Sequence, residues 1–293
     1  GLNEFVDPET LDIDYLLMGP GDASSKINTQ AIAAKVLQVC SGRKDCVGFL
    51  SPYYGDVVGV TSSATQTQNV IDFYENMQAT SFGVFDNGWK YIYDRFADKY
   101  RYVPLNGDVA GLCASVTANG TPWFSPAGLN RGAIRGAVKL AFSPTKSERD
   151  TLYQNRINPV TSLPGQGIVL FGDKTSFGKR SAFDRINVRR LFIFLEDAIS
   201  AAAKDQLFEF NDELTRTNFV NIIEPFLREV QSNRGIFDFV LICDETNNTG
   251  AVIDRNEFVA DIFIKPARSI NFIGLTFVAT RTGVDFEEVI GSV

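Results

Sequence analysis

Apolar positions along this chain follow two alternating periods, and the switches between them outline its elements. The short runs DYLLMG (14–19), CVGFLSP (46–52) and GIVLFG (167–172) are strand length and bounded by Gly or Pro. Between the first two, Ile27, Ala31, Ala34 and Val39 recur at helical spacing behind the capping pair Ser24-Ser25, which predicts a helix through Cys40. SSATQTQNVIDFYENMQAT (62–80) reads as a second helix. SFGVFD (81–86) and WKYIYDRF (89–96) flank Asn87-Gly88, a pattern that predicts a hairpin. NGDVAGLCASV (106–116) is predicted helical and WFSPAGLNRG (123–132) a loop. In SPTKSERDTLYQNR (143–156), Ser143 and Pro144 suit the cap and first position of another helix. NPVTSLPGQG (158–167) is turn-rich and reads as a loop.

FDRINVRRLF (183–192) opens an amphipathic helix. At 100° per residue, Val188, Leu191, Phe192, Leu195 and Ile199 fall in a sector about 100° wide. Arg185 and Arg189 lie beside that stripe, Arg190 falls on the far side, and Asp184 is a natural cap. The next helix spans Asp212 to Gln231, with Phe219, Ile222, Ile223, Phe226, Leu227 and Val230 on its apolar face and Pro225 expected to kink it. Three strand-like pieces close the chain, at 235–244, 257–266 and 269–280. Beyond them an acidic tail, 281–293, carries Val284, Phe286, Val289 and Ile290. The order of elements predicts an α/β (mixed α+β) fold: a central mixed sheet flanked by helices, ending in a C-terminal strand and a tail whose alternating apolar residues suit docking on a neighbouring chain.

Composition narrows the function. The 293 residues are 44% hydrophobic, with 24 Phe, enough for a large core. Against 35 acidic residues stand 28 basic ones, a net charge of −7, which disfavours nucleic acid as a partner. No apolar run approaches the roughly 20 residues of a spanning helix. Cys40, Cys46, Cys113 and Cys243 form no CxxC pair and sit in apolar company, as reduced core thiols would. Histidine is absent, which removes Ser-His and Cys-His nucleophile pairs and HExxH zinc sites. The opening GLNEFVDPETLD, without Met, reads as the interior of a longer protein.

Motifs that could bind or react are weak. Gly167 and Gly172 have the separation of a phosphate loop, but Asp173 stands where lysine is required. DETNNTG (244–250) alternates Asp244, Thr246 and Asn248 like a calcium loop, yet its glycine is one residue late and the closing glutamate is missing. No cofactor or metal is implied. A histidine-free enzyme working through Asp173 or Asp254 is the alternative from another class. The arginines at 185, 189, 190, 255 and 268 suit bidentate pairing with carboxylates of a neighbouring chain.

WKYIYDRFADKYRYVPLNGDVAGLCA (89–114), WFSPAGLNRG (123–132) and RDTLYQNRINPV (149–160) resemble segments of the contractile tail sheath proteins of T-even-type bacteriophages. So do GIVLFGDKT, FDRINVRRLF, VLICDETNN, VIDRNEF and IKPARSINFIGLTFVAT, in the same order across roughly residues 85 to 281. The resemblance implies a structural subunit without catalytic activity. Such subunits stack as hexameric rings around a tail tube and contract to drive it through the host envelope. A related contractile injection machine is the alternative. Implied partners are other copies of the chain, the tube protein, and baseplate and terminator proteins, with neither nucleic acid nor inserted membrane. The implied place is the virion tail, assembled in the host cytoplasm. The resemblance also implies that 1–268 is the family's C-terminal, inner α/β domain and 269–293 its last strand and C-terminal arm, that such arms add strands to neighbouring sheets, and that the family's N-terminal half lies outside this sequence. On that basis Arg185, Arg189, Arg190, Arg268, Phe286, Val289 and Ile290 are the expected contacts with other subunits or the tube.

Overall fold

The computed structural model describes residues 1–271. After a 3-10 turn at Leu2–Phe5, strand β1 (Tyr15–Leu17) leads to α1 (Lys26–Arg43). Ser25 caps α1, its hydroxyl accepting from the Asn28 N–H at 3.3 Å, and Lys44 ends it at φ 69°. Then come β2 (Val47–Leu50), the single turn α2 (Tyr54–Val57), α3 (Ser63–Tyr74), β3 (Gly83–Asp86), β4 (Trp89–Asp94), β5 (Lys99–Pro104) and α4 (Asn106–Ala118). They are followed by β6 (Lys139–Leu140), α5 (Lys146–Gln154), β7 (Ile157–Asn158), β8 (Val160–Leu163) and β9 (Gly167–Leu170). The last third adds a 3-10 turn (Ala182–Asp184), α6 (Ile186–Lys204), α7 (Glu213–Ser232), β10 (Ile236–Ile242), the short α8 (Gly250–Ile253) and β11 (Asp261–Pro266).

Four strands form a parallel sheet in the order β1-β2-β3-β7. Helices cover both of its faces, which is why β2 and β3 are buried at every position. Leu50 and Phe85 point into one cluster with Val36, Leu37 and Cys40 of α1 and Val70 and Phe73 of α3. Val47, Phe49 and Val84 point the other way, against Val109, Ala110 and Cys113 of α4 and Ile186 of α6. A Cβ at Gly48 would stand 2.8 Å from Val36 Cγ1, so glycine lets α1 lie close to the sheet. The antiparallel pairing expected within one central sheet lies in separate small sheets instead: β5-β4-β6, β8-β9 and β10-β11. A third apolar cluster joins α6, α7 and Ile236 through Leu191, Leu195, Phe219, Ile223, Leu227 and Val230. The helix α7 runs on past Pro225. All four cysteines are buried and free.

Local signals failed where a tertiary partner outbid them. Asn87-Gly88 is not a hairpin turn, because β3 and β4 belong to different sheets. The Asn87 amide is fully buried; its Oδ1 accepts from the Val160 N–H at 2.8 Å and its Nδ2 donates to the Val160 carbonyl at 3.2 Å. A side chain thus replaces a backbone rung while the chain crosses between sheets. The true hairpin is β4–β5, whose turn forms where Asp94 Oδ1 accepts from the N–H groups of Phe96 and Ala97. Most of the stretch expected to be a loop, 158–167, belongs instead to a second hairpin, β8–β9, running from Val160 to Leu170. The cap of α5 is Thr145, which forms a capping box with Glu148, and not Ser143. Asp184 does not cap α6; Arg185 occupies that position without a side-chain cap bond.

Candidate assembly surface and the root of the C-terminal segment

The arginines at the start of α6 are committed inside this chain, which corrects the expectation for two of them. Helical periodicity put Arg190 on an outward face, but α6 is covered on more than one side. Arg190 is 4% exposed, and its Nη2 donates to the Cys113 carbonyl at 2.8 Å and to the Thr117 hydroxyl of α4. Arg189 lies between the rings of Phe82 and Phe183, 4.2 and 4.1 Å from their centroids, and donates to Ser81 Oγ at 3.0 Å. Burial lowers its pKa to about 10, which leaves it charged at neutral pH. Both fasten α6 to the sheet body, so neither offers a free cation to another chain.

Arg185 belongs to a polar hub around Asp173, the residue that prevented a phosphate-loop reading. Asp173 is 1% exposed. Its Oδ2 accepts from Ser125 Oγ at 3.0 Å and Ser269 Oγ at 2.5 Å. Its Oδ1 accepts from Asn271 Nδ2 at 2.8 Å and Tyr153 Oη at 3.1 Å, with Arg185 Nη1 3.8 Å away. The same Arg185 nitrogen donates to Tyr153 Oη at 2.7 Å. Burial, and then the Asp173 charge, pushes the Tyr153 phenol well above its ordinary pKa, so it stays protonated and donates. Two further bonds hold the same segment: Asn187 Nδ2 donates to the Ala267 carbonyl at 3.2 Å, and the Ala267 N–H donates to the Gly235 carbonyl at 3.1 Å. The chain from 267 to 271 is therefore pinned at three residues, Ala267, Ser269 and Asn271, as it leaves β11.

Beside this root runs a groove of about 950 Å³, lined by Trp123, Phe124, Phe171 and Phe237 together with Arg131 and Arg268. Arg268 is exposed on its rim. The adjoining sheet has only two strands, so among the described residues β10 and β11 each leave one edge unpaired. Phe239, Leu241, Ile262 and Ile264 pack inward on the third cluster. Phe237, Val240 and Phe263 face outward and are 67%, 52% and 60% exposed. Phe286, Val289 and Ile290 lie outside the described residues. Asp173 is saturated by donors, and Asp254 is exposed at the end of α8, so the two carboxylates proposed for catalysis stand in unrelated surroundings. Sequence reading missed Tyr153, Ser125, Ser269 and Asn271. No local signal could have found them, since Asn271 and Tyr153 are 118 positions apart.

Comparison with known proteins bears on this arrangement. The family model described as the phage tail sheath protein central domain matches residues 3–176. That of the phage tail sheath C-terminal domain matches residues 179–280. The tail sheath protein of Vibrio phage KVP40 is 46% identical across 99% of this chain. That of Enterobacteria phage T4 is 41% identical across 98%. The match covers 45% of each of these relatives, so the chain spans less than half of their length. Among solved structures, the contracted PVC sheath complex of an extracellular contractile injection system superposes with a TM-score of 0.75 at 19% identity, over 96% of this chain and 73% of that one. The contracted helical sheath of the anti-feeding prophage gives 0.73 at 17%, over 93% and 72%. Those two likenesses are of fold. With two sheath models covering most of its residues and relatives above 40% identity along almost its whole length, the chain belongs to the phage tail sheath family.

Proposed function

We propose that this chain is the assembling and moving part of a contractile phage tail sheath, a structural role rather than a catalytic one. It joins copies of itself into a helical lattice around a tail tube, and the lattice shortens to drive the tube through the host envelope. The observation that carries this reading is the β10–β11 sheet, which among the described residues has two strands and an unpaired edge on each, and is continued by a segment pinned at Asp173. A sheet of two strands gains backbone partners when arms of neighbouring copies add to it. Main-chain bonds of that kind can persist while the bodies they tether swing as rigid units. The tail sheath names of the relatives and the contracted assemblies among the structural neighbours support the same reading.

On this proposal residues 1–268 form the body and 269–293 the last strand and arm. Arg268, Phe286, Val289 and Ile290 contact neighbours, while tube, baseplate and terminator proteins are the other partners. The free energy for shortening is stored in the extended lattice when it assembles. Place of action is the virion tail, after assembly in the host cytoplasm. The test is a chimera in which this chain replaces the matching region of the Vibrio phage relative, viewed by negative-stain electron microscopy. Regular hollow tubes support the proposal. Dispersed particles that stay dispersed when purified tail tubes are added would overturn it.

A further inference from the structure

Two surface features take no part in the sheet edges or the arm root. The first is the connection between α6 and α7. Backbone bonds from Leu207 to Lys204, Glu209 to Gln206 and Asp212 to Phe210 shape it into successive turns. On those turns Leu207, Phe208 and Phe210 stand 63%, 105% and 83% exposed, and Leu214 in the first turn of α7 is 68% exposed. Asp205, Glu209, Asp212 and Glu213 are interleaved with them, and no basic residue occurs from 205 to 214. The second feature is the tip of the β4–β5 hairpin. Phe96 is 95% exposed there, with Tyr93 and Tyr100 about half exposed behind it at 49% and 54%.

The charges at the two places are opposite. Asp94 at the hairpin is taken by Arg101 at 2.6 Å and by the turn N–H groups, and Asp98 accepts from the Tyr93 hydroxyl. Across the tip Arg95, Lys99 and Arg101 outnumber Asp94 and Asp98 by one and the net charge is +1, with Arg95 and Lys99 its exposed cations outside the Asp94–Arg101 pair. Each place pairs exposed aromatic rings with a net charge of one sign, and together they are complementary. Neither covers the other within one copy, because Phe208 and Phe96 are both almost wholly exposed. Like-with-like contact between two α6–α7 connections would oppose four carboxylates to four. Contact between different patches of identical chains is heterologous, and such contacts generate rings or helices.

We propose that the α6–α7 connection docks on the β4–β5 tip of a second copy of this chain. Phe208 and Phe210 pack against Phe96 of that copy, and Asp205, Glu209 and Glu213 face its Arg95 and Lys99. This inference rests on the self-assembly proposed above and names one of its contacts. The test is cross-linking of the intact chain carrying exposed cysteines at Phe96→Cys and Phe208→Cys, the four native cysteines being buried. A mixture of the two single variants, oxidised, should yield mainly 96–208 dimers, and the double variant a ladder of multimers. Adding Glu209→Lys should slow cross-linking roughly tenfold or more, as a reversed charge does at a steered contact. Adding Lys99→Glu in the partner should restore it. Only 208–208 or 96–96 dimers, or no rescue by the second reversal, overturns the proposal. Tubes in the chimera without 96–208 products overturn this contact alone; absence of both overturns the assembly reading as well.

Discussion

Replacing Arg190 separates a packing role from an interface role, because two substitutions differ widely in their cost to folding only if the side chain is buried. Its Nη2 holds the Cys113 carbonyl and Thr117 of α4, and its Nη1 is buried without a hydrogen-bond partner among the described residues. Each hydrogen bond to a charged group contributes about 1.5–3 kcal/mol, while desolvation of the cation works against it. Arg190→Met forfeits both bonds but removes the desolvation cost. The Cys113 carbonyl also keeps the Thr117 hydroxyl as a donor at 3.2 Å, so no acceptor is orphaned. The expected net loss is about 1 kcal/mol. Arg190→Glu instead sets an unpaired carboxylate against a carbonyl oxygen in a 4% exposed site, at a cost of about 4 kcal/mol. At about 2–4 °C per kcal/mol, the Met variant should melt about 2–4 °C below the parent and the Glu variant about 8–16 °C below. Thermal unfolding followed by far-UV circular dichroism measures both. A Glu variant that melts with the parent yet fails to assemble would refute the packing argument and return Arg190 to the surface.

Two further outcomes follow from buried carboxyl groups. Asp173→Ala removes the acceptor shared by Ser125, Ser269, Asn271 and Tyr153, so local opening of 267–271 should become roughly ten- to a hundredfold more populated. Limited trypsin digestion after Arg268 should accelerate to match, and an unchanged cleavage rate would show that the hub does not hold the segment. Asp86, whose carboxylate accepts from Ser51 Oγ and the Gly88 N–H, has its pKa raised well above the ordinary value by burial. A raised folded pKa means that its contribution is complete below the unfolded value of about 3.9 and is lost as pH climbs toward the folded one. The stability of the parent relative to Asp86→Asn should therefore fall as pH rises from about 4. Denaturant unfolding of both proteins across that range is the measurement, and a flat or rising difference would contradict the assignment.

The sequence by itself determined whatever rests on neighbours within a few residues. Local pattern placed α1, α3, α4, α6 and α7, and short apolar runs marked β2 and β3 as strands, while their burial on both faces came from the helices packed above and below them. Collinear segments carried the family. Only the tertiary structure decided which strands pair, because pairing depends on partners far along the chain. Asn87-Gly88 looks like a hairpin until Val160, 73 positions away, takes the Asn87 amide as a backbone substitute. Helical periodicity likewise assumes one covered face. It could not show that α4 and the aromatic rings around Arg189 enclose further sides of α6 and turn two arginines inward. Asp173 is the same lesson at the arm root. Its residue type excluded a phosphate loop, but its work as an anchor needs Ser125, Tyr153, Arg185, Ser269 and Asn271 together, and nothing short of the folded chain brings them within hydrogen-bonding reach.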